Sequence, residues 1–149
     1  MTEKELVLET MKRSGKLVAQ SIQTRSAEMT GTELNSESAY IPDFAVAVTK
    51  LNMLNRPVGF VCKSSAGRVV RLLQVYDSTV YTQEPEELPA QWGFVWSDNP
   101  DHAKPFVAIS TSPYMIGNCC TENGIVYRSL IDNNVHAPSA YRQGWEEVN

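Results

Sequence analysis

Gly124-Ile125-Val126-Tyr127-Arg128-Ser129-Leu130-Ile131 lines up with an earlier stretch, Gly67-Arg68-Val69-Val70-Arg71-Leu72-Leu73-Gln74, and this echo decides how the chain is read. Downstream of each copy a Pro is followed seven residues later by a Trp: Pro85 to Trp92, and Pro138 to Trp145. Upstream, Val58-Gly59-Phe60-Val61-Cys62 answers Ile116-Gly117-Asn118-Cys119-Cys120. Gly67 to Trp92 is 25 residues and Gly124 to Trp145 is 21, so one connecting loop differs by four. The chain therefore contains one unit of about 40 residues twice.

The physics of the unit is that of a small antiparallel sheet. A Gly-centred turn, Ala66-Gly67 or Asn123-Gly124, joins two strands, and Asn-Gly favours the turn whose twist matches a hairpin. In the second strand Val126, Arg128 and Leu130 alternate with Tyr127 and Ser129. A loop containing Pro then leads to a short strand anchored by Trp, in Gln91-Trp92-Gly93-Phe94-Val95 and Gly144-Trp145-Glu146-Glu147-Val148. Trp92, Tyr127 and Trp145 are the expected structural core. An isolated hairpin is barely stable, so each unit is expected to lean on its sibling, on a helix or on another subunit.

Outward from the repeat the composition changes. All thirteen aromatic residues lie beyond residue 39, and the stretch before it has good helix formers and no Pro. Leu8, Met11, Val18, Ile22 and Met29 fall on one stripe at alternating three- and four-residue steps. Gly15 and Arg25 fill the gaps of that heptad and are poor seam residues. The expectation is an amphipathic helix that attaches or oligomerises through Leu8, Met11, Val18 and Ile22, a short parallel coiled coil being the sharper form. The fold class read from these features is α+β: an N-terminal helix followed by two small antiparallel β modules. The divisions are a helical segment at 1–29, a linker at 30–55, module 1 at 56–97, a linker at 98–111 and module 2 at 112–149.

Several function classes are excluded by composition. The 149 residues carry 13 Lys and Arg against 17 Asp and Glu, a formal net charge of −4, which suits no protein built to neutralise phosphates. Nucleic acid is therefore not an expected partner. The longest apolar run, Phe44-Ala45-Val46-Ala47-Val48, is far short of the roughly 20 residues of a membrane span. Met1-Thr2-Glu3-Lys4-Glu5 opens with charges of both signs and leads into no apolar segment, so no secretory signal is expected and synthesis is cytoplasmic. Cys62, Cys119 and Cys120 form no C-x-x-C pair and read as small buried hydrophobes. His102 and His136 lack partners at metal-ligand spacing, and Asp98-Asn99 and Asp132-Asn133-Asn134 read as solvated turns. No metal or cofactor is implied. No nucleophile, metalloprotease or phosphate-loop motif is present, and the carboxylate clusters Glu84-Pro85-Glu86-Glu87 and Glu146-Glu147 fall in surface-type segments, so no enzyme activity is expected.

Among the aromatics outside the core set, Trp96 precedes the turn-like Ser97-Asp98-Asn99-Pro100-Asp101 and is the expected exposed one. Tyr114 and Tyr141 flank the second unit and are further candidates for ligand contact. The repeat resembles the small chitinase-type carbohydrate-binding modules. The match rests best on Ile116-Gly117-Asn118, Asn123-Gly124-Ile125-Val126-Tyr127, Asn133-Asn134, Pro138, Tyr141 and Gly144-Trp145-Glu146. The first copy departs from it, with Val70 where Tyr127 stands and Gln91 where Gly144 stands. The whole arrangement also looks like small proteins encoded by tailed phages and prophages in or near tail-fibre genes. The resemblance implies sugar recognition through exposed aromatic faces in the loop before the last strand. Val135-His136-Ala137 occupies that place, so His136 joins Trp96, Tyr114 and Tyr141 as a candidate ligand contact; Tyr76 and Tyr81 are the counterparts in the first copy.

The resulting expectation is a virion protein whose helix gathers copies of itself or docks on other virion proteins. Its modules would then adhere to surface polysaccharide, weakly per site and more firmly in multivalent display. The alternative is a structural virion component whose modules make protein contacts without binding sugar.

Overall fold

A capping box starts the chain: the Thr2 hydroxyl accepts from the Glu5 amide, and the Glu5 carboxylate accepts from the Thr2 amide. From it runs α1, Glu3–Arg25, in a computed structural model that describes residues 2–149. Thr30 and Glu33 repeat the same box at the head of α2, Gly31–Ser36, and α3 follows at Phe44–Lys50. The β part comprises β1 (Val61–Lys63), β2 (Val69–Leu72), β3 (Trp92–Phe94), β4 (Lys104–Pro105), β5 (Cys119–Glu122), β6 (Ile125–Ser129) and β7 (Trp145–Val148). They form one sheet in the order β1-β2-β3 and a second in the order β4-β5-β6-β7, so the chain is α+β with a helix before two sheets.

The repeat is visible bond by bond. Cys62 faces Val70 in the first antiparallel pair, and Cys120 faces Tyr127 in the second. Leu72 faces Trp92 in one unit and Ser129 faces Trp145 in the other. Gly59 donates to the Leu72 carbonyl at 2.7 Å, and Gly117 donates to the Ser129 carbonyl at 2.9 Å. Both glycines hold φ near +95°, at 93° and 95°, where an L side chain is strained. The strand before the Trp is tied in the same way, Leu73 N–H to the Gln91 carbonyl and Leu130 N–H to the Gly144 carbonyl.

What joins the units is a column of rings. Trp96 stacks on Phe94 at 5.7 Å and on Tyr114 at 4.2 Å, Tyr114 stacks near Phe106 at 5.4 Å, and Trp145 meets Phe106 and Tyr114 edge-on. Trp92, with Phe44 and Tyr76 edge-on to it, continues the same core into the helical part. Trp92 and Trp145 are buried and Tyr127 packs on the core's margin. Trp96 is only 8% exposed and donates its indole N–H to the Ser112 carbonyl at 2.9 Å; Tyr114 is 1% exposed. This corrects the expectation of ligand contact for both: the chain after Trp96 folds back over it, and the two rings hold one unit to the other.

The stretches expected as linkers also fold. Within 30–55, Leu34, Ile41, Phe44, Ala47 and Met53 are buried. Gly31 lies so close to Trp96 that a Cβ there would collide with the Trp96 carbonyl oxygen. Within 98–111, β4 pairs in parallel with β5. Arg68 next to β2 donates to the Pro105 carbonyl through Nε and Nη2 and pairs with Glu86 at 2.9 Å, bracing the first unit against the second sheet.

The helix meets this body through its last turns only. Ile22 is buried against Leu34, Ile41, Val61 and Val69, and Val18 packs at the edge of the same cluster. That corrects the expected oligomerisation stripe, because its C-terminal half is covered by the protein's own sheet. Gln23 lies alongside β1: its amide nitrogen donates to the Val61 carbonyl at 2.7 Å and its amide oxygen accepts from the Val61 N–H at 2.9 Å. Leu6, Leu8, Met11 and Leu17 remain exposed.

Candidate functional site

Asn133, in the left-handed region at φ 55°, turns the chain after β6. Asn134 then anchors them. It is fully buried; its side-chain nitrogen donates to Ser129 Oγ and the Gly144 carbonyl, and its backbone exchanges two hydrogen bonds with Tyr114. With that root fixed, the His136 backbone is tied to Trp145, whose indole N–H donates to the His136 carbonyl at 2.8 Å. Tyr141 meets the imidazole edge-on, centroids 5.8 Å apart, and remains 38% exposed. A Cβ at Gly144 would approach Tyr141 Cδ2 to 2.9 Å and Asn134 Nδ2 to 3.1 Å, so glycine there leaves the tyrosine ring its place.

Together with Ile131, Asn133 and Ala140, these two rings line a shallow depression of about 420 Å³. A partly exposed phenol, an imidazole and a side-chain amide in a shallow cup suit a flat polar ligand with one apolar face, such as a pyranose ring. Of the four expected ligand contacts the structure thus brings together His136 and Tyr141 and sends Trp96 and Tyr114 to the core. Asn133 and Ile131 were not singled out as site residues; the Asn-Asn pair, tolerant of a left-handed turn, is the signal that points to them.

The first unit carries different residues at the equivalent positions. Leu88 stands where Tyr141 does relative to the Trp, and Gln91 where Gly144 does. Tyr76 is buried and accepts the Trp92 indole N–H at 3.0 Å, whereas Tyr81 is exposed. A second groove flanks the hairpin of the second unit between Glu122, Tyr127, Pro138 and Trp145, where Glu122 accepts from the Ser139 amide and hydroxyl.

No family model matches this chain, and no curated protein or solved structure matches it. Its chemistry therefore has to be read from its own residues. Cys62, Cys119 and Cys120 are all buried and free, and burial raises each thiol above its usual range, that of Cys120 to about 12. A thiol held protonated is a poor nucleophile. Among the described residues no three His, Cys, Asp or Glu side chains converge as metal ligands do, and no helix is long and apolar enough to cross a membrane.

Proposed function

We propose that this chain is a phage-type virion component that adheres to surface glycan through its second β unit. The observation that carries the reading is the exposed His136–Tyr141 corner, which lies in the loop before the last strand, where the resembled modules contact sugar. One shallow cup per chain gives weak binding, so useful adhesion needs several copies on one particle. The helix that stands free of the body over its first turns supports such gathering.

The test is retention of the purified protein on chitin, on peptidoglycan and on teichoic-acid preparations, alongside the single variants Tyr141→Ala and His136→Ala. Retention on one of the three that both variants reduce at least tenfold is the expected result. Absence of retention on all three, with the protein folded, overturns it.

A specific observation favours the second reading, a structural docking component. Each unit exposes an apolar pair at the same corner, Val58 with Leu73 and Ile116 with Leu130. Glycan retention has no use for these residues, whereas a protein neighbour repeated around an assembly does. Absence of glycan retention by the unsubstituted protein, together with loss of incorporation into particles when all four are replaced with Ser, would favour this second reading.

A further inference from the structure

A depression of about 440 Å³ opens where the start of α3 meets the β1–β2 turn and β4. Two ammonium groups line it, from Lys63 at the end of β1 and Lys104 in β4, together with the hydroxyls of Ser38, Ser64 and Ser65. Both lysines are half-buried, Lys63 with 21% of its side chain exposed. Among the described residues Lys104 is in no ion pair. Lys63 Nζ stands 3.8 Å from Asp43 Oδ1, too far for a hydrogen bond, and the Asp43 side chain is 66% exposed, so water shares that carboxylate. Glu84 is engaged elsewhere: it accepts from the Ser65 amide at 2.8 Å and does not line the depression.

Partly desolvated cations that the fold leaves short of partners are costly unless an anion joins them. Gly67 bends the β1–β2 turn at φ 84°, and a Cβ there would lie 3.8 Å from Lys104 Nζ, so the amine from β4 rests beside the turn of the first unit. Ser64 Oγ accepts from the Arg68 amide, which leaves its own proton free to donate. Two ammonium point charges among several hydroxyls suit an oxyanion with several acceptor oxygens, as phosphate is. The space exceeds what one phosphate fills, and Ala45 and Val46 supply an apolar wall for the body that carries it. A formal net charge of −4 opposes a polyanion, so a single phosphate group fits where a phosphate backbone does not.

We infer that this depression binds a small phosphate compound, its phosphate held by Lys63 and Lys104 with the serine hydroxyls and its organic body against Ala45 and Val46. The site shares no residue with the His136–Tyr141 cup. Its lining comes from the helical part and from both sheets, so a bound phosphate ties the three together and stabilises the fold by mass action.

The experiment is calorimetric titration of the full chain, at low ionic strength, with inorganic phosphate and with glycerol phosphate. Saturable binding of both is expected; tighter binding of the ester assigns the site to an organic phosphate, and equal binding assigns it to free phosphate. Lys63→Gln and Lys104→Gln are each expected to weaken binding roughly tenfold or more, as loss of a charged hydrogen bond does. Asp43→Asn removes the one carboxylate of the lining, and the Asp43 side chain makes no capping hydrogen bond to α3, so this variant is expected to fold and to bind more tightly. Tyr141→Ala is expected to leave phosphate binding unchanged. The proposal is overturned by absence of saturable binding of either compound, by lysine variants that keep the folded near-ultraviolet circular dichroism and bind as the wild type does, or by weaker binding in Asp43→Asn. Binding of a teichoic-acid preparation at these lysines, with neither small compound bound, overturns the small ligand in favour of a polymer.

Discussion

Trp96 lies flat between Phe94 and Tyr114 with its indole N–H satisfied by Ser112, so its truncation opens a cavity between the units rather than a surface. Trp96→Ala is expected to cost about 3–5 kcal/mol, read as a lowered denaturation midpoint. Tyr141→Ala, at an open corner, should cost less than about 1 kcal/mol and move that midpoint correspondingly less, because truncating a partly exposed side chain opens no enclosed cavity. Equal losses at the two sites would contradict the placement of the rings. Gly31→Ala is a further test: the added methyl meets the Trp96 carbonyl oxygen, and overpacking of this kind costs about 1–3 kcal/mol. At this scale the sequence was legible where a residue sat inside the repeat, as for Trp92 and Trp145. It misled at Trp96 and Tyr114, because turn-like neighbours mark where a chain bends and not which core it returns to. Cys120 supplies a pH test. Its folded thiol ionises near 12 while an unfolded one ionises near 9, so the unfolded state binds fewer protons above that value. The stability this thiol contributes is full below pH 9 and is lost as pH rises from there towards 12, which urea titrations at a series of alkaline pH values measure.

Among the elements, the two hairpins were the most legible, since glycines, Pro and Trp recur at matched spacings and the same backbone bonds recur with them. Helix α1 was legible as a helix, but its partner was not. The stripe Leu8–Met11–Val18–Ile22 gives a face without saying how far along it the protein's own body reaches, and that depends on where β1 and β2 bring Val61 and Val69. The edge of β1 shows why the body stops there. Edge strands present unpaired backbone groups, and this one is closed by two devices: the Gln23 amide pairing with Val61, and the Pro42 carbonyl accepting from Lys63 N–H. Gln23→Leu keeps the helix-forming tendency but leaves both Val61 groups without a partner. The expected loss is about 1–3 kcal/mol, together with faster amide exchange at Val61 in hydrogen-exchange experiments.

For the molecule as a whole, the repeat suggested two modules on linkers, but the chain between them is load-carrying core. Residues 98–111 supply β4 and Phe106, and Arg68 reaches from the first unit to the Pro105 carbonyl. Two units that share one ring column cannot lose structure separately. Thermal unfolding is expected as a single transition whose calorimetric and van't Hoff enthalpies agree, whereas two resolved transitions would show that the units are independent. The same column has an optical consequence. Rings stacked at 4.2 Å with 14° between their planes couple their electronic transitions, so Trp96 and Tyr114 should give the folded protein a strong near-ultraviolet circular dichroism couplet. Its amplitude reports directly on the joint between the units, giving a spectroscopic readout of that joint that needs no label.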